Sequence, residues 1–214
     1  MSLRLSLQCH PDTPCGALSG IAIELARVRP LKLQIRYVLI GNVRRVRLRP
    51  REKDRGDELW RHTCFEAFVR VGGEENYLEY NVSPTGDWAA YRFDRYRDGM
   101  APATEIETSY LGTDRRTEPL DPDRRARLRE CGMDTMERFE PSFFSLKTEL
   151  TFSNAMGLAV AQPWHVGLST IVEERNGRMS YWALAHPPGK PDFHDPACFA
   201  LELPAARPDP SPRT

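Results

Sequence analysis

Apolar and polar residues alternate with a period of two through most of this 214-residue chain, and windows with the 3.6-residue period of a long amphipathic helix are scarce. The alternation predicts strands over residues 20–28, 31–40, 43–48, 64–71, 77–82, 88–93, 143–152, 165–173, 178–185 and 198–203. Asn176-Gly177 lies between two alternating runs and is the firmest hairpin signal, because that dipeptide accepts the positive φ angles of a tight turn. Gly72-Gly73 plays a similar part between the strands at Phe65 and Tyr77. The expected fold is all-β, a two-sheet antiparallel sandwich of jelly-roll or immunoglobulin-like character.

Within the strands, the alternation also sorts side chains by face. Phe65, Ala67, Val69 and Val71 share one parity and are expected in the core, leaving Cys64, Glu66, Phe68 and Arg70 on the other face. Leu78, Tyr80 and Val82 alternate with Tyr77, Glu79 and Asn81, and Ala89, Tyr91 and Phe93 alternate with Trp88, Ala90 and Arg92. One face is therefore expected to gather Glu66, Glu79, Asn81, Trp88 and Arg92. Carboxylates on neighbouring strands repel, so an arginine or an array of ligand hydroxyls is expected between them. A sugar offers donors to carboxylates, acceptors to arginine or amide, and C–H faces to an indole. The plainer reading is a solvated cross-strand ion network of little energetic weight.

Length and composition bound these readings. A chain of 214 residues with 40% apolar content can bury one substantial core, so one domain over residues 1–203 is expected, with a proline-rich, disordered tail at 204–214. Residues 113–130 carry many charges and read as a surface excursion with one short helix after Pro122. Lysine plus arginine equals aspartate plus glutamate, 30 of each, so no global field favours nucleic acid or an anionic membrane. No apolar run is long enough for a signal sequence or a membrane span, and a soluble cytoplasmic protein is expected. Cys9, Cys15, Cys64, Cys131 and Cys198 are odd in number and scattered, which favours reduced thiols over a disulfide framework; Cys64 and Cys198 read as small buried hydrophobes.

The segment from Trp60 to Arg97 resembles the DOMON-like superfamily, in particular its branch related to family 9 carbohydrate-binding modules. The matching pieces are Trp60, Glu66 within Phe-Glu-Ala-Phe-Val, Tyr-Leu-Glu-Tyr-Asn ending at Asn81, Ser-Pro-Thr-Gly-Asp-Trp ending at Trp88, and Tyr96-Arg97. A second block runs from Ser180 to His186 and continues as Pro-Asp-Phe-His ending at His194. The resemblance implies a β-sandwich whose concave face or rim holds a ligand, with two aromatic rings clamping a terminal sugar and polar side chains holding its hydroxyls. By position, Trp60 matches the first ring, Asn81 the amide, and Trp182 is the candidate for the second ring. Glu79 departs from the pattern, which tends to place a basic residue there. Other members of the superfamily hold b-type haem between a methionine and a histidine or lysine; His186 and His194 occur late in the chain, but Met100, Met133, Met136, Met156 and Met179 do not fall on an early strand.

Other constellations carry less. His186, Asp192 and His194 flank a Pro-Pro-Gly-Lys turn and are competent metal ligands, yet no further close-spaced ligand accompanies them, and pinning the loop is the simpler role. Glu66 and Glu79 as cross-strand neighbours approach the separation of about 5–5.5 Å found in retaining glycosidases. Arg92 and Arg97 are expected to lower both carboxylate pKa values, whereas a general acid needs one raised. The run Arg44 to Arg49 reads as an edge strand whose charges discourage pairing with another chain. Nucleophile-elbow, phosphate-loop and dinucleotide motifs are missing from the sequence. The reading is a non-catalytic, cofactor-free module for a carbohydrate or small polyhydroxylated metabolite, with a haem-binding electron carrier and a glycoside-acting enzyme using Glu66 and Glu79 as alternatives. Its expected site is Trp60, Glu66, Glu79, Asn81, Trp88, Arg92, Arg97, Trp182, His186, Asp192 and His194.

Overall fold

A computed structural model describes residues 2–48, 56–116, 142–153 and 161–206. The strands are β1 (Ser2–Cys9), β2 (Leu18–Arg29), β3 (Lys32–Gly41), β4 (Cys64–Val71), β5 (Tyr77–Val82), β6 (Trp88–Phe93), β7 (Ala101–Pro102), β8 (Ile106–Arg116), β9 (Ser142–Phe152), β10 (Trp164–Glu173), β11 (Met179–Ala183) and β12 (Leu201–Leu203). All their pairings are antiparallel. The order across the sheet is β7-β6-β5-β4-β10-β11-β1-β2-β3-β9-β8, with β12 also on β10, making one 12-stranded sheet.

The pairing does not divide into two separate sheets. β1 pairs through Ser2–Leu7 with β2 and then, through Gln8 and Cys9, with Ala183 and Trp182 of β11, so hydrogen bonding is continuous from one half to the other. The sheet instead curls strongly into a half-barrel and brings its halves face to face. Phe65 of β4 stacks on Phe144 of β9 at 6.1 Å, and Tyr37 of β3 lies 5.1 Å from Phe65. Between the halves the Tyr80 hydroxyl bonds Thr108 and Thr148, which removes the cost of burying it. Each large apolar side chain buried here contributes about 1.5–3 kcal/mol.

β4 and β5 are buried on both faces. Phe65, Ala67, Val69, Leu78, Tyr80 and Val82 belong to the core between the halves, whereas Cys64, Phe68 and Tyr77 belong to a second cluster with Tyr91, Phe93, Ile171, Phe193 and Phe199 on the outer face. That outer cluster is where the polar residues of the second parity emerge.

Several elements differ from expectation. Val43–Arg45 is a 3-10 turn, and of the expected strand at 43–48 only an isolated bridge from Val46 to Glu174 remains. The arginines there are drawn to buried carboxylates at the end of β10: Arg45 Nη2 lies 3.1 Å from Glu174 Oε2, and Arg47 Nε 3.1 Å from Glu173 Oε1. Residues 198–203 split into a 3-10 turn, Pro196–Cys198, capped by the Asp195 side chain, and the short β12. Thr113 to Arg116 continue β8 rather than opening a surface excursion; positions 117–130 lie outside the described residues, as do Arg49, Cys131, Met133, Met136, Met156 and the tail from 207. The hairpin after β10 forms, but Asn176 keeps negative φ; Gly177 alone is positive, at 84°, closing a three-residue loop instead of a two-residue one.

Candidate ligand-binding cleft

On the outer face of β4, β5 and β10 a cleft of about 350 Å³ is lined by Trp60, Glu66, Glu79, Phe93, Arg97, Met100, Ile171, Tyr181, Pro191, Phe193 and His194. Register explains its floor. Glu66 on β4 stands opposite Asn81 on β5 and opposite Ser169 on β10, and Glu79 stands opposite Phe68 on one side and Tyr91 on the other. Ser169 Oγ donates to Glu66 Oε2 at 3.2 Å, and Asn81 Nδ2 donates to Glu79 Oε1 at 2.6 Å. Glu66 is 2% exposed, Glu79 5% and Asn81 0%.

Burial sets the charge state of this floor. Desolvation pushes the Glu66 carboxyl well above the ordinary glutamate range, and the neighbouring Glu79 pushes it further. Desolvation likewise pushes Glu79 up to about 7, against the opposing pull of the Asn81 hydrogen bond and Arg97. The expectation that arginines would lower both values is therefore overturned. Arg92 is on the other face, where its Nη1 lies 3.5 Å from Glu105. Arg97 is close, but its Nη2 donates to Asp192 Oδ1 at 2.8 Å, so much of its charge is already answered.

The rim is a hydrogen-bonded chain. Tyr77 Oη accepts from the Arg97 backbone N–H and shares a hydrogen bond of 2.7 Å with His194 Nδ1, while His194 Nε2 lies 3.8 Å from Glu79 Oε2. Burial, then the nearby Arg97 charge, lower the His194 pKa to about 4, so the ring is neutral across the physiological range. Phe68, Phe93 and Tyr77 surround that ring at centroid distances of 5.3, 5.0 and 5.9 Å. Arg97 holds φ at 53°, a left-handed conformation that costs a non-glycine residue about 1–3 kcal/mol. Its bonds to Tyr77 and Asp192 hold it there. Asp192 does not line the cleft; it accepts from Arg97, from Tyr96 Oη and from the His194 backbone, and so buttresses the rim.

Two rings form the walls. Trp60 sits in the 3-10 turn Leu59–Arg61, half-buried, with its indole edge-on to Tyr91 at 5.9 Å. Opposite in character is Tyr181 of β11, which the sequence reading missed in favour of its neighbour. Trp182 points into the core between the halves, 5% exposed, with Nε1 bonded to Ser180 Oγ. Because Ile171 of the outer face pairs with Tyr181, it is Tyr181 that joins the cleft.

The same parity correction removes Trp88. The five-residue connection from Ser83 to Asp87 pairs Val82 with Trp88, and cross-strand partners share a face, so Trp88 packs with the inner core beside Tyr80 and Arg92 follows it. Counting that loop was the signal that would have found it. His186 is also outside the cleft: its Nε2 contacts Gln8 O at 2.8 Å and its ring meets His10 edge-on at 4.9 Å. Among the described residues no group of three or more His, Cys, Asp or Glu is arranged to hold a metal ion.

No family model matches the chain, and no curated protein matches it in sequence. Among solved structures, a Bacteroides uniformis protein proposed to bind carbohydrate superposes with a TM-score of 0.58 at 13% identity, covering 92% of this chain and 83% of that one. A family 9 carbohydrate-binding module from Caldicellulosiruptor kristjanssonii, in complex with cellotriose, superposes with a TM-score of 0.46 at 8% identity over 87% of this chain and 74% of that one. The similarity to the Bacteroides uniformis protein, at low sequence identity, is one of fold.

Proposed function

We propose that the protein is a non-catalytic binding module for a carbohydrate or a small polyhydroxylated metabolite. The observation that carries this reading is the composition of the cleft: buried acceptors on the floor from Glu66 and Glu79, and the rings of Trp60 and Tyr181 at its walls. Carboxylates fix hydroxyl groups, while an aromatic face accepts the C–H side of a sugar ring. The description of the Bacteroides uniformis protein as carbohydrate-binding points the same way. The haem alternative gains nothing from the histidines, since His186 Nε2 contacts Gln8 O and His194 Nε2 faces Glu79.

One observation favours a second reading, a glycoside-acting enzyme: a carboxyl whose pKa is raised to about 7, as that of Glu79 is, suits a general acid. A single experiment separates the two. Purified protein titrated calorimetrically with mono- and disaccharides is expected to bind, and Trp60→Ala is expected to weaken binding by about 1–3 kcal/mol while leaving the unfolding midpoint nearly unchanged. Incubated with aryl glycosides, the same preparation is expected to release no phenol. Release abolished by Glu66→Gln would establish the enzyme instead, and failure to bind any saccharide would remove the sugar reading.

A further inference from the structure

We infer that the ligand of this cleft carries a protonated amine among its hydroxyls, as an amino sugar does, and that the ammonium is received between Glu66, Glu79 and Asn81. This deepens the carbohydrate reading and rests on it. The argument begins with how the protein treats its other buried carboxylates. Glu174 is 1% exposed and is met by Arg45, and Glu173 is met by Arg47 and His62. Burying a carboxylate is costly unless a cation joins it, and at the end of β10 the chain supplies the cation itself.

At the cleft floor it does not. The groups around the two glutamates are Cys64 on β4, Tyr77 and Asn81 on β5, Ser169 on β10, and Arg97, Asp192 and His194 at the rim; Tyr37, behind the sheet, bonds only the Glu66 backbone oxygen. Among the described residues no lysine or arginine forms an ion pair with Glu66 or Glu79. Arg97 is turned to Asp192, and the His194 Nε2 facing Glu79 belongs to a neutral ring. Asn81 supplies an independent sign. It does not itself line the cleft but lies fully buried on the same face, register partner of Glu66, with Nδ2 donating to the cleft-lining Glu79, and its Oδ1 has no donor. The floor is therefore rich in acceptors and short of one cation.

Without ligand, protons held by the raised carboxyls relieve this imbalance. An ammonium brings three N–H donors and one positive charge, which answers the two carboxylates and the amide oxygen together and expels a carboxyl proton to solvent. A neutral hydroxyl brings a donor without the charge.

The test is calorimetry with D-glucosamine, D-galactosamine and D-mannosamine against their parent sugars and against N-acetyl-D-glucosamine, at a pH of about 6.5 where a free amine is charged. Two buffers of different ionisation enthalpy report proton release. At least one amino sugar is expected to bind about tenfold or more tighter than its parent and than N-acetyl-D-glucosamine, with proton release, and Glu79→Gln is expected to abolish that preference. Parent sugars bound as tightly as the amino sugars, or amino sugars bound without proton release, would overturn the inference and leave the carbohydrate reading standing. Failure of all seven to bind would overturn the inference, and the carbohydrate reading with it if the disaccharides also failed to bind.

Discussion

A single step in parity separates Tyr181 from Trp182, and it decides which ring lines the cleft and which fills the core. Trp182 carries the larger apolar surface and is spent on the inner core, leaving the smaller ring for the cleft. The glutamates illustrate the same dependence on surroundings. Nothing local distinguishes Glu79 from a surface carboxylate, yet burial lifts its pKa from 4.5 to about 7. This has a consequence for stability. A carboxyl with a raised folded-state pKa favours the native state below its unfolded value and loses that contribution as pH rises through the folded one. His194 acts in the opposite sense, because its folded value of about 4 lies below its model value of 6.5, so its contribution is lost as pH falls between them. The two oppose one another between 4.5 and 6.5, the unfolded values of the glutamates and the histidine; above 6.5 only the glutamates act. The unfolding midpoint is therefore expected to fall between pH 6.5 and 8, and Glu79→Gln to flatten that decline by an amount on the order of 1 kcal/mol. A midpoint that rises over this interval in the wild type would contradict the charge states assigned to the floor.

Strands with two buried faces set the behaviour of the elements. Glu66 and Phe68 belong to the parity that alternation alone would send to solvent, and they are buried because the segments carrying Trp60, Phe193 and Phe199 cover them. That covering depends on Gly167 in the middle of β10. A Cβ there would stand 3.1 Å from Cys198 O and 3.4 Å from Phe68 Cβ, so the missing side chain lets the Pro196–Cys198 turn lie against the strand. The turn is tied to the rim, since Cys198 Sγ donates to Asp192 O. Gly167→Val is expected to lift it, costing about 1–3 kcal/mol in chemical denaturation and weakening saccharide binding through Asp192, Arg97 and His194. Unchanged stability would show that the turn does not bear on β10. The 43–48 segment teaches the complementary lesson. Its alternation is real, but the carboxylates of Glu173 and Glu174 and the turn at Asn42 pull it out of the sheet.

Across the whole molecule, β1 is the seam. Six of its residues, Ser2–Leu7, pair with β2, while Gln8 and Cys9 pair with β11, so the two halves share one strand as well as one core. Leu7, 5% exposed, lies just before the crossover and packs into that core. A protein built this way is expected to unfold in one transition, with far-ultraviolet and near-ultraviolet circular dichroism coincident in denaturant. Leu7→Ala is expected to shift both curves together by about 2–5 kcal/mol. Separated transitions would mean that the halves are independent units. Neither β1 nor β8 was among the expected strands. In β1 the leucines at 3, 5 and 7 do alternate, whereas in β8 threonine, serine, glycine and arginine dilute the signal.

The amino-acid sequence by itself determined the antiparallel all-β character, most strand positions, and the common face of Glu66 on β4 with Glu79 and Asn81 on β5. Each of these follows from period-two alternation and from turns closed by nearby glycines, which are local properties of the chain. Tertiary structure alone decided that the sheet is continuous, that Tyr181 and not Trp182 lines the cleft, and that burial raises the pKa values of two glutamates where arginines were expected to lower them. These depend on burial and on which way side chains turn among partners remote in sequence: Arg97 toward Asp192, Ile171 beside Tyr181, and covering segments at Trp60 and at Phe193 and Phe199.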